Sequence, residues 1–116
     1  MIRFASTAWC TLLVVACGGS SVPPAKVADT QSSISAATAV GADENPQAAL
    51  HLKMARDQLK QAQSLIDDGK NDDARLVLQR ADADAEVALI ITREAQASAN
   101  VKKAQSDVEG LQNRNP

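Results

Sequence analysis

One helical pattern, running unbroken over residues 72–112, limits this chain's fold more than any other feature. At 1.5 Å per residue it makes a rod of roughly 60 Å. Two apolar stripes follow it. One, of small residues, is Ala74, Leu78, Ala81, Ala85, Ala88, Thr92, Ala95 and Ala99. The other lies nearly opposite and comprises Leu76, Ala83, Val87, Ile90, Glu94, Ala97, Val101, Ala104, Val108 and Leu111. It keeps a seven-residue register, as a coiled-coil seam does. Valine at Val87, Val101 and Val108, three of the four inferred a positions, suits a two-stranded contact.

A partner for the first stripe lies just upstream. Residues 46–68 carry Ala48, Leu52, Ala55, Leu59, Ala62 and Ile66 at alternating spacings of four and three. Asn45-Pro46 is a helix start, because asparagine caps free N–H groups and proline needs no donor at the first position. Gly69 suits a left-handed cap, with Asn71 as the next cap and Asp72 and Asp73 in the first turn it precedes. The two helices form an antiparallel hairpin, and roughly a third of the longer one must overhang. A weaker helix is expected over residues 27–40, with Val27, Ile34 and Ala37 on one face. Leu50, Met54 and Leu65 offer it a place to pack. The fold class is therefore all-α: a short first helix followed by a long helical hairpin. The outer stripe has three fates: an intermolecular contact, exposure to solvent, or cover by the first helix. That first helix is too short to reach Val101 to Leu111.

The amino-terminal residues follow a different logic. Arg3 precedes an apolar run from Ala8 to Ala16, which then meets Cys17. A charged start, a short apolar stretch and a small residue before the break fit a secretory signal over residues 1–16. The run is about half the ~20 residues that a membrane span requires. Val14-Val15-Ala16-Cys17 resembles the bacterial lipobox, which implies that Cys17 is acylated, with palmitate-like chains, and becomes the mature terminus. Residues 17–26, rich in Gly, Ser and Pro, read as a flexible linker. Gly18 rather than aspartate follows the cysteine, which by resemblance to known sorting rules implies the outer membrane, facing the periplasm. Residues 113–116 read as a disordered tail.

Composition narrows the partners. Phe4 and Trp9 are the only aromatics, and both lie in the signal. The rest has no ring for stacking on bases or sugars. Losing Arg3 leaves 11 basic against 14 acidic residues, a net charge of −3. That argues against nucleic acid, which calls for a basic face. The acidic turn from Asp67 to Asp73 lacks the ligand alternation and closing glutamate of a calcium loop. His51 has no convergent partner in the sequence, Asp57 being six residues away and off its face. Ser32, Ser33 and Ser35 have no nucleophile elbow around them. Arg80 with Asp84, and Lys103 with Asp107, read as ordinary i,i+4 surface pairs. No cofactor, metal, catalytic residue or small-molecule substrate is expected.

Between Pro23 and Ala97 the chain resembles the domain of unknown function 4398, a family of small alanine-rich bacterial envelope proteins. The resemblance rests on Asn45-Pro46-Gln47-Ala48, the run from Ala55 to Leu59, the turn Gly69-Lys70-Asn71-Asp72-Asp73-Ala74-Arg75, and Ala81-Asp82-Ala83-Asp84-Ala85. The family's turn usually places aspartate or asparagine directly after the glycine, and here Lys70 intervenes. The resemblance implies an envelope setting and carries over no catalytic residue.

These readings converge on a lipid-anchored, non-catalytic interaction or adaptor module. Its expected partners are membrane lipid through acylated Cys17, and an envelope protein or a second copy through Leu76, Val87, Ile90, Val101, Val108 and Leu111. The alternative is a structural spacer between outer membrane and peptidoglycan. The chain ends Arg114-Asn115-Pro116 rather than in lysine, so its wall contact would be non-covalent.

Overall fold

The computed structural model describes residues 20–114. The expected signal and Cys17 lie outside that range, as do the last two residues of the tail. Helices α1 (Pro24–Ala39), α2 (Pro46–Asp67) and α3 (Asn71–Gln112) are joined by a 3-10 turn at Ala42–Glu44 and a tight turn at Gly69. Among the described residues there is no strand.

The helix ends follow from local chemistry. The Asn45 side chain accepts from the Gln47 and Ala48 amides at 3.0 and 3.2 Å, and Pro46 occupies the first turn. At the other end of α2, Gly69 has φ +75°. Its N–H donates to the Ile66 carbonyl, and the Lys70 N–H donates to that of Leu65. This pair of bonds is a Schellman cap, which favours glycine because a Cβ is strained at positive φ.

The expectation that Asn71 caps α3 is corrected. The Schellman turn uses Lys70, which also becomes the cap of α3 and has no side-chain bond to it. Asn71 is already helical. Its Oδ1 instead accepts the Val22 N–H at 3.4 Å.

The start of α1 is also earlier than expected. Pro23 has extended backbone angles and Pro24 sits in the first turn, so the proline pair begins a helix rather than stiffening a linker. Val22 is buried, and the Arg75 guanidinium donates to the carbonyls of Ser20 and Ser21 and to the Ser20 hydroxyl. The chain from Ser20 to Lys26 is thus docked on the head of α3, and a linker extending to Lys26 is excluded.

The core is shallow and closely packed. Ala48, Leu52, Ala55, Leu59 and Ala62 of α2 meet Ala74, Val77, Leu78, Ala81, Ala85 and Ala88 of α3, all buried. Small side chains let helix axes approach closely, and Leu52 and Leu78 fill the space between the alanines. Thr30 and Thr92 are buried too. Each returns its hydroxyl to the carbonyl four residues back, Lys26 and Ala88 respectively, so neither is left unpaired.

Helix α1 lies in the groove between the other two, parallel to α3. Lys26 pairs with Asp82 at 2.8 Å near one end, and the Gln96 amide donates to the Val40 carbonyl at 2.9 Å near the other. Arg56 of α2 ties down the corner by donating to Thr38 and Asp43. The expectation that Leu50 and Met54 receive α1 is corrected, because they remain 58% and 40% exposed. With only Ile34 as a large buried side chain, α1 seats its Thr30 and Ala37 against the alanine-lined groove instead.

Candidate functional site

Helix α3 has 42 residues and α2 has 22. Burial along α3 stops at Thr92, and every residue from Arg93 to Glu109 is exposed. The free part is therefore close to half the helix, more than the third expected. The inner stripe follows the same boundary: Ala74 to Thr92 are covered, whereas Ala95 and Ala99 run on past the end of α2 into solvent.

The outer stripe is open along its whole length. Leu76, Val87, Ile90, Val101, Val108 and Leu111 are between 38% and 65% exposed. Cover by α1 is excluded, since α1 occupies the groove on the other flank. The six residues share one side because 87, 101 and 108 keep a seven-residue spacing, and 76, 90 and 111 lie at multiples of seven, three or four positions further on. Ala83, Ala97 and Ala104 fill the gaps in the line and are exposed as well. The result is a narrow apolar seam that begins beside the three-helix body and continues onto the free rod.

The polar clusters tie helices and turns together. His51 Nδ1 lies 2.9 Å from Asp84 Oδ1, and the Gln58 amide donates to Asp84 Oδ2 at 2.7 Å. These bonds cross between α2 and α3 and fix their register. They also correct two readings of the sequence: His51 has a partner, and Asp84 does not pair with Arg80. Nor does Lys103 pair with Asp107. The His51 bridge spans 33 positions, so only the folded pairing of the hairpin reveals it. Its sequence trace is the acidic pair Asp82 and Asp84, each next to an alanine of the inner stripe, Ala81 and Ala85. At the turn, Asp72 pairs with Arg75 at 2.6 Å and Asp68 with Lys70 at 3.6 Å. Among the described residues no three His, Cys, Asp or Glu side chains gather as a metal site would require. Among them, too, no helix is long and apolar enough to cross a membrane.

Residues 25–111 match the family described as Domain of unknown function (DUF4398). The chain belongs to this family. The DUF4398 match begins at the second residue of α1 and ends at Leu111, the last apolar residue of the outer stripe. The free half of α3 is accordingly part of the DUF4398 domain rather than an appendage to it. No curated protein and no solved structure matches the chain.

Proposed function

We propose that this chain is a lipid-anchored protein of the bacterial envelope and acts as a non-catalytic helical interaction module. The anchor is assigned from Val14-Val15-Ala16-Cys17, with Gly18 favouring the outer membrane. The observation that carries the interaction role is the outer flank of α3. Six large apolar side chains stand exposed in one line on a helix whose free half has no neighbour among the described residues. Burying apolar surface is the main driving force of association. A stripe this regular on an otherwise polar rod is an efficient way to present it.

The test has two parts. Mass spectrometry of the mature protein should find acyl chains on Cys17; an unmodified terminus would remove the anchor. A photo-reactive side chain placed at Val101 in living cells should capture a protein. The same group at Ala99, exposed on the opposite side of the same turn, should capture none. Equal capture, or none, at both positions would remove the interaction role.

A further inference from the structure

The occupant of that flank can be argued from charges on either side of it. Glu86, Arg93, Asn100, Asp107 and Arg114 recur at intervals of seven along one border of the seam, the position that a coiled coil uses to choose partner and orientation. All are exposed. Among the described residues none of the four charged ones forms an ion pair within the chain.

We infer that the outer flank of α3 is closed by a second copy of this chain running antiparallel, with Asn100 of each copy at the two-fold axis. This rests on the interaction role proposed above and specifies its partner. In this register Val87 faces Leu111 of the second copy, Ile90 faces Val108, Glu94 faces Ala104, and Ala97 faces Val101. Large residues meet small ones at the centre and each other at the ends. Glu94, the one charge in the overlapping part of the seam, lies against an alanine and has room to bend its carboxylate into water.

Along the border, Arg93 meets Asp107, Glu86 meets Arg114, and Asn100 meets itself. Each ionic pair occurs twice by symmetry, as an isologous interface requires.

Competing arrangements are worse on the same grounds. A parallel pair stacks Glu94 on Glu94 inside the seam, which costs desolvation and repulsion. It also sets Arg93 and Asp107 beside Ser98 and Gln112, with no charge complement. Sliding the antiparallel pair one heptad one way places Glu86 beside Asp107 and sets Leu111 against Arg80. Sliding it the other way places Arg93 beside Arg114 and leaves Val87 and Ile90 uncovered. Only the register centred at Asn100 uses all five large residues from Val87 to Leu111 without a like-charge meeting. It also explains why the seam starts beside the body: Val87 and Ile90 receive the tip of the other copy's helix. Leu76 lies beyond the overlap.

The experiment uses the full chain in mild detergent, with Cys10 and Cys17 replaced by serine so that introduced thiols stand alone. Sedimentation should show a dimer that V101D/V108D converts to monomer with helix content unchanged. That variant also rules out association through the amino-terminal apolar run. D107R, which sets like charges opposite Arg93, should weaken the dimer roughly tenfold, and R93D/D107R should restore it. A short bis-maleimide should join two copies of N100C. Oxidation should not join two copies of A104C, whose thiols lie about 15 Å apart along the axis in this register. A disulfide in A104C without cross-linking in N100C would overturn the antiparallel arrangement. A lack of rescue by R93D/D107R would overturn the register. A chain that stays monomeric at ~100 μM would overturn self-association altogether. If V108D nevertheless abolished capture by the photo-reactive group at position 101 in cells, the interaction role would stand with a different partner.

Discussion

Lys26 and Asp82 join the first helix to the third, and the pair sets a pH limit on that joint. The hydrogen bond to Asp82 raises the lysine's pKa above the usual 10.5, its charge adds to this, and burial works weakly against both. A group whose folded pKa is raised stabilises the fold below its unfolded pKa and loses that contribution as pH climbs through the folded one. The joint should therefore weaken above about pH 10.5. Lys26 is 40% exposed, so solvent screens the pair and the effect is modest. Asp82 is more enclosed, and its Oδ1 has no partner among the described residues. K26M should be less stable than the native chain at pH 7, with the gap narrowing as pH rises past 10.5. Urea unfolding across that range measures it, and a gap that stays constant would show that the ion pair contributes nothing.

At the scale of whole elements, the two faces of α3 should respond to mutation in opposite ways. Leu52 is fully buried between α2 and α3, so L52A opens a cavity in an already shallow core and should cost about 3 kcal/mol. V108A, on the free rod, should change the stability of the monomer by less than about 0.5 kcal/mol. Chemical denaturation at dilute concentration compares them, and similar losses would mean that the rod is covered within one molecule.

The same contrast explains what the sequence made legible. The α2 stripe, the Asn45 cap and the Gly69 turn are short-range signals, and each reads directly as a helix or its end. The outer stripe was visible because a seven-residue register repeats over many turns. The place of α1 was not. Its face has one large residue, Ile34, and where such a helix settles depends on a groove that exists only after the hairpin forms. Pro23-Pro24 is equally ambiguous, since prolines suit both linkers and first turns, and buried Val22 decides the matter from a distance. In the sequence Asp84 reads as a partner of Arg80 because i,i+4 pairs lie along one helix, whereas His51 reaches it from another one.

For the whole molecule, the consequence lies in where the ends go. Ser20 and Ser21 are held by Arg75, at the end of α3 furthest from the free half. An antiparallel pair centred at Asn100 would put the two bodies, and the two amino-terminal segments, at opposite ends of one rod. A lipid anchor on each copy would then draw the rod down along the membrane surface. A spacer standing upright would need both anchors at the same end, which only a parallel pair or a monomer provides. Gln79 is exposed on the body and well outside the overlap, so it reports the difference without disturbing the seam. Spin labels on Q79C should lie about 60 Å apart in the antiparallel pair, counting the helix between them at 1.5 Å per residue. In a parallel pair they would be within about 20 Å, little more than the width of two helices. Double electron–electron resonance separates these distances. A population near 60 Å that vanishes in V101D/V108D is the expected result, and a short distance would stand the molecule upright again.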